Sequence, residues 1–315
     1  MFHLFDRRPD LLPSVVVALI GVSWGVFWLP MRLLDEIGLG GAWASLAVFV
    51  TAMMLLLPVI IARWRRLVAG GVSLLLTGMV IGAAFALYAT ALVLTEVVYT
   101  ILLFYLTPVW GTLLGRIMLG EKITRGRLLA LVLGIAGLFV ILGFDRGLPL
   151  PRNIGDWMAL LSGIGWAYGS LRVYRSETAS AWESTSTFFA GGLLITLVAV
   201  LIPIDITTPS PESLVAATPW LFLLVAAYLV PTMLALLWAA SRLSPGRVGL
   251  LLMGEVVVGV ISAALLTDEP FGGRELIGTI LIVSAGMIEV MQRLPRTQAS
   301  HGLTSKRGRR MIDGS

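Results

Sequence analysis

Leu11-Leu-Pro-Ser-Val-Val-Val-Ala-Leu-Ile-Gly21-Val-Ser-Trp24-Gly25-Val-Phe-Trp28-Leu-Pro30-Met31 runs for 21 residues without a charged side chain. A bilayer's hydrocarbon core, about 30 Å thick, needs roughly 20 such residues in a helix, because a spanning segment must satisfy its backbone polar groups internally. The stretch is long enough to cross, and it lacks the A-x-A exit of a cleavable leader. The same windows predict further spans at 43–62, 72–94, 97–118, 127–144, 155–174, 184–203, 214–238, 245–267 and 275–292. Turn-forming residues separate them, as at Asp35-Glu36-Ile37-Gly38, Arg63-Trp64-Arg65-Arg66, Asp145-Arg146-Gly147 and Pro209-Ser210-Pro211-Glu212. The connections are short, so each helix packs against its sequence neighbours and no soluble domain is inserted. The expected fold class is an all-α integral membrane protein of ten transmembrane helices.

Composition agrees. Hydrophobic residues make up 57% of the chain and charged ones 13%, about half the charge a soluble domain carries. The net charge of +5 raises nucleic acid as a partner, but the basic residues lie between apolar runs and not on one polar face. With no cysteine, and with His3 and His301 both in the terminal tails, thiolate or histidine metal sites, thiol catalysis and disulfide scaffolds are not expected. No cofactor is expected, and no Walker A motif supports ATP-driven pumping. If the N-terminus is cytoplasmic, 19 of the 23 Lys and Arg residues fall on the inner side and four, Arg32, Arg146, Arg152 and Arg274, on the outer. That imbalance predicts both termini in the cytoplasm; the membrane itself is expected to be a bacterial inner membrane. Residues 1–10 form a short cytoplasmic N-terminus, and 295–315 a disordered basic tail facing anionic lipid.

An internal repeat sets the architecture. Gly21-Val-Ser-Trp24 in the first span matches Gly163-Ile-Gly-Trp166 in the sixth; Gly120-Glu121 after the fourth matches Asp268-Glu269 after the ninth. Ala136-Gly137 in the fifth span matches Ala285-Gly286 in the tenth, and the offset stays between 142 and 149 residues. Three matches in one order read as a duplication: residues 11–147 form a first five-helix repeat and 148–294 a second. Five is odd, so the copies are inverted, with a substrate site near the midplane around a central cavity. GxxxG pairs at Gly21/Gly25, Gly78/Gly82, Gly111/Gly115 and Gly165/Gly169 predict close helix contacts, within the chain or across a dimer. A monomer or weak homodimer is expected. Pro30, Pro108 and Pro231 each kink or end a span and are the candidate hinges.

Aromatic and charged residues divide by depth. Trp43, Trp64, Trp157, Trp182 and Trp220 fall near predicted span ends, where aromatic belts anchor helices. Trp24, Trp28, Trp110, Trp166 and Trp238 lie deeper, with Tyr88, Tyr99, Tyr105, Tyr168 and Tyr228, and their N–H and O–H groups need partners. Trp24 and Trp166 occupy equivalent repeat positions, as paired cavity walls or as ordinary packing. Glu255 stands about ten residues into the ninth span, where an unpaired carboxylate is costly. It meets a cationic substrate group or a proton, or it pairs with Arg247 or an arginine of another span. Glu121 and Glu269 read as caps, and Glu96 and Glu289 as interfacial.

The Gly21-Val-Ser-Trp-Gly25 motif, the Thr107-Pro108…Gly120-Glu121 block and its second-half relative resemble the drug/metabolite transporter superfamily, EamA type, over roughly residues 11–292. Leu243-Ser-Pro-Gly-Arg-Val-Gly-Leu250 through Gly254-Glu255 and Asp268-Glu269 resembles the branch that exports aromatic amino acids. The second half departs in having Val256 where the first has Pro108. The resemblance implies a cavity built from spans 1, 3, 4, 6, 8 and 9, no cofactor, and export of amino acids or related small metabolites. On it, Trp24, Trp28, Tyr88, Tyr99, Trp110 and Trp166 line the substrate path, and Glu255 reads a substrate ammonium. The competing classes are a channel or lipid-moving protein, and a membrane-embedded enzyme for which the catalytic side chains are scarce.

Overall fold

The computed structural model describes residues 11–120, 124–142, 151–175, 180–201, 208–240, 242–243, 248, 251–267 and 271–293. Glu121, Asp145, Arg247, the Asp268-Glu269 pair and the tail from Pro295 lie outside them. The described residues are helical, without a strand: α1 (Leu11–Trp24), α2 (Trp28–Glu36), α3 (Ala42–Ala62), α4 (Trp64–Ala69), α5 (Gly71–Leu94), α6 (Val97–Phe104), α7 (Thr107–Leu119), α8 (Arg125–Leu142), α9 (Ile154–Arg175), α10 (Ala181–Leu201), α11 (Pro211–Phe222), α12 (Val230–Ala240), α13 (Gly254–Leu266) and α14 (Gly273–Arg293). Among these residues six helical runs are long and apolar enough to cross a membrane: Leu11–Glu36, Ala42–Ala62, Gly71–Leu94, Val97–Met118, Ala181–Leu201 and Pro211–Ala240. Large apolar side chains face outward along them, such as Met54, Ile117 and Leu201, a surface suited to lipid. Helices also stand where spans five, six, nine and ten are expected, but α9 and α14 carry charges at their ends and α13 has only 13 residues.

Three of the six runs are interrupted, each beside a proline expected to kink or end its span. The first turns at residues 25–27, between α1 and α2. The fourth turns at Tyr105 and Leu106, between α6 and α7. The eighth passes through a π-helical segment, Leu223–Leu229, between α11 and α12. In each case a proline follows at once: Pro30 is the third residue of α2, Pro108 the second of α7 and Pro231 the second of α12. A proline has no N–H to give to the carbonyl four residues back, so it is accommodated in the first turn of a new segment. The carbonyl of Phe104, which Pro108 cannot serve, instead accepts the Thr107 hydroxyl at 2.6 Å. Gly120, left-handed at φ 65°, ends α7; an L side chain is disfavoured there.

Glycine sets how closely the helices approach. Gly78 and Gly82 of α5 lie against Thr187, Phe188 and Gly192 of α10, and a Cβ at Gly82 would collide with the Phe188 carbonyl. On its other side α5 receives α9, with Gly165 against Ala84 and Gly169 against Ile81. Gly21 of α1 and Gly25 of the turn after it cross the backbone at Leu251, Leu252 and Gly259. Gly137 of α8 meets Gly278 and Ile282 of α14. Three of the four GxxxG pairs therefore pack within the chain, where backbones close enough to exclude a methyl group hold helices by dispersion.

Candidate functional site

Glu255 is the second residue of α13, just past a non-helical residue, Met253. Only 3% of its surface is exposed. Its carboxylate accepts two phenols: the Tyr88 hydroxyl donates to Oε1 at 3.0 Å and the Tyr105 hydroxyl to Oε2 at 2.8 Å. Tyr88 comes from the middle of α5 and Tyr105 from the break between α6 and α7, so three distant stretches converge. Among the described residues the carboxylate is held by tyrosines and not by an arginine; Arg247, the partner the sequence offered, lies outside them. The opening turn of α13 adds amide dipoles of the sign that favours a carboxylate. The Tyr105 hydroxyl also lies 3.0 Å from the Leu252 carbonyl oxygen. A phenol has one proton, so Tyr105 chooses between two acceptors.

Aromatic rings surround this cluster. Trp24 lies 5.6 Å from Phe85, Phe85 lies 6.3 Å from Tyr88, and Tyr88 lies 4.7 Å from Phe104, centroid to centroid. Trp166 closes the series, edge-on to Phe104 at 5.9 Å. Trp24 and Trp166 are thus joined through a chain of rings passing beside Glu255. The indole nitrogens of Trp24 and Trp110 are both buried without an acceptor. Trp24 itself is 5% exposed, and an orphaned buried donor costs about 1–3 kcal/mol.

A cavity of about 810 Å³ lies to one side of this core, between α2, the π-helical segment and the end of α13. Trp28 and Tyr228 form part of its wall, with Arg32, Glu36, Trp220 and Ala227. Trp28 donates its indole N–H to Ser262 Oγ at 3.0 Å, and Tyr228 donates its hydroxyl to the Ser23 carbonyl at 2.8 Å. Glu255, Tyr88 and Tyr105 do not line it.

The sequence-predicted residues therefore divide into groups. Tyr88 and Glu255 touch, and Trp24 and Trp166 are tied to Tyr88 through Phe85 and Phe104. Trp28 faces the cavity, together with Pro30. Trp110 packs half-buried against the core from α7. Tyr99 stands apart, six residues before Tyr105 on α6, with the Arg152 guanidinium 5.3 Å above its ring. Tyr105, Phe85, Phe104 and Ser262 are contributors that the sequence reading did not place in the site. The signal for Tyr105 was its place three residues before Pro108, at a predicted kink.

Polar ties close both ends of the bundle. At one end Arg63 Nε meets Glu183 Oε1 at 2.8 Å, and Ser180 bonds to both residues. At the other, Thr95 donates to Asp156 Oδ1 at 2.7 Å while Arg32 donates to the Leu92 and Thr95 carbonyls, each at 2.8 Å. Charge-assisted hydrogen bonds of this kind hold helix ends together.

Comparison with known proteins follows the same lines. Residues 12–143 match the EamA-like transporter family. A protein of Escherichia coli (strain K12) named a probable amino-acid metabolite efflux pump is 26% identical over 196 residues, 56% of this chain and 62% of that protein. The chain thus spans less than two thirds of that relative's length. A protein of known crystal structure, 18% identical, shares the fold at a TM-score of 0.54 over 90% of this chain and 97% of its own. The chain is a multi-pass membrane protein, and the match to the EamA-like transporter family over residues 12–143 agrees with the resemblance carried by Gly21–Trp24 and Thr107–Pro108.

Proposed function

We propose that the protein is a secondary transporter that exports amino acids, those with aromatic and hydrophobic side chains included, and related small metabolites across the bacterial inner membrane by alternating access. The observation that carries this is the Glu255 carboxylate, buried at the meeting of α5, α6 and α13 and held by Tyr88 and Tyr105. A carboxylate inside a membrane bundle is costly unless it is partnered, and a substrate ammonium is the natural third partner beside the two phenols. Trp24, Trp28, Trp110 and Trp166 supply ring faces along the path, and Tyr99 stands toward its Arg152 end. Pro30, Pro108 and Pro231 mark the hinges. The kinship to a protein named an amino-acid metabolite efflux pump supports the same substrate class.

The architecture of this reading is ten helices in two inverted repeats, residues 11–147 and 148–294, between the cytoplasmic segments 1–10 and 295–315. The helix pairs support it, because they come in equivalents. The sixth helix packs on the third and fourth, and the first packs on the eighth and ninth. The second packs on the seventh, and the fifth on the tenth. Both termini face the cytoplasm, and the protein works as a monomer or weak homodimer.

Uptake of radiolabelled amino acids into liposomes containing the purified protein tests the function. Saturable, stereoselective uptake, competed by some unlabelled amino acids and not by others, is expected. Unsaturable flux without stereoselectivity would replace the carrier with a channel or lipid-moving protein.

A further inference from the structure

We propose that the cavity of about 810 Å³ between α2, the π-helical segment and the end of α13 is a second substrate station. It takes a zwitterionic amino acid with its apolar side chain against Trp28 and Tyr228 and its carboxylate on Arg32. This rests on the amino-acid reading above and adds to it a site that is separate from Glu255.

Three features argue for it. First, the volume is that of a small-molecule site, since such pockets enclose about 300–1,000 Å³. Second, the two aromatic walls have their polar atoms engaged elsewhere. The Trp28 indole N–H is held by Ser262, and the Tyr228 hydroxyl by the Ser23 carbonyl, while Phe27 stacks on the Tyr228 ring at 6.3 Å. Both rings are thus fixed in place with their hydrogen-bonding ends committed to the protein, and what is left for a ligand is carbon surface. Third, that carbon surface adjoins a charged pair of the right signs. Arg32 and Glu36, one helical turn apart on α2, both line the cavity, while Asp35 between them bonds to the Gly41 backbone. Arg32 is anchored by Nε and Nη2 on two carbonyls at the end of α5, so its charge is held beside the cavity and does not sweep through solvent. A fixed guanidinium recognises a carboxylate better than a mobile one because less side-chain entropy is lost on binding.

The position gives the station its role. The cavity borders Trp28, three residues beyond Gly25, and Ser262 bonds to both Trp28 and the Gly25 carbonyl. The break at residues 25–27 therefore separates the cavity from the stretch of α1 that carries Trp24. An amino acid released from Glu255 meets this station next.

The test uses the full-length protein in liposomes. Ala227→Trp fills the cavity and should raise the half-saturation concentration for phenylalanine about tenfold more than that for alanine, because only the larger side chain needs the volume. Arg32→Gln should raise the half-saturation concentration for phenylalanine about tenfold, the loss of one charge-assisted contact, with the maximal rate kept. Equal effects of Ala227→Trp on both substrates, or none, would overturn the station and leave amino-acid transport standing. A fall in rate with unchanged half-saturation in Arg32→Gln would confine Arg32 to holding the end of α5 and overturn its part. Failure of folded wild-type protein to carry any amino acid would overturn the transport reading and the station with it.

Discussion

Glu255, Tyr88 and Tyr105 form one hydrogen-bonded unit, and its members fail differently. Tyr105→Phe removes the proton shared between Glu255 Oε2 and the Leu252 carbonyl. It leaves two buried acceptors with one donor fewer, at a cost of about 1–3 kcal/mol. Thermal unfolding in detergent should show that loss, and transport should fall with it. Glu255→Gln preserves shape and keeps an acceptor for one phenol but removes the charge. It should fold nearly as well as wild type and lose transport by at least about tenfold, the worth of one charged contact. A dependence of transport on pH that vanishes in Glu255→Gln would assign proton coupling to this carboxylate. That Glu255 needs partners was legible in the sequence, because a carboxylate amid apolar residues is rare. Its partners were not, because Tyr88 and Tyr105 stand 167 and 150 residues away in the chain, and only the fold decides which tyrosine reaches it.

At the scale of the helix, length and apolarity located the six spans long and apolar enough to cross among the described residues, because every residue in a window contributes. Breaks are harder to read, since one proline among twenty apolar residues leaves that sum unchanged. Pro30, Pro108 and Pro231 nonetheless marked all three breaks, and the structure adds that each follows its break and opens the next segment. Pro30→Ala restores an N–H that can reach the Val26 carbonyl and stiffen the turn at residues 25–27. Turnover should slow at unchanged half-saturation, which measurement of initial rates against concentration will separate. Substitutions at the tight crossings act on stability instead. Gly82→Ala places a methyl group on the Phe188 carbonyl and should cost about 1–3 kcal/mol, as overpacking does. Thermal unfolding reads this directly. The GxxxG spacing announced such contacts but not their partners, which are α10 for Gly78 and Gly82 and the α13 region for Gly21 and Gly25.

Across the whole molecule, helix crossings differ in what closes them. The third helix is packed by glycine on the sixth and seventh, while the eighth, π-helical at Leu223–Leu229, meets the first through Tyr228 on Ser23 and Phe27 and borders the cavity. A π-helical segment holds a helix away from ideal packing and is frequent at functional sites. The cavity lies at the end of the bundle carrying Glu36 and Thr267, which is the outer end in the topology proposed above. The chain has no cysteine, so single introduced cysteines report sidedness without background. A membrane-impermeant thiol reagent should label Ser210→Cys in intact cells, and Arg65→Cys only after permeabilisation. The reverse pattern would invert the topology. The central claim, an amino-acid carrier whose substrate ammonium is read by Glu255, is tested most directly by labelled phenylalanine uptake into matched liposomes of wild type and Glu255→Gln. Saturable uptake by wild type and its near-complete loss in a folded variant is the predicted result; equal uptake by both would contradict the account.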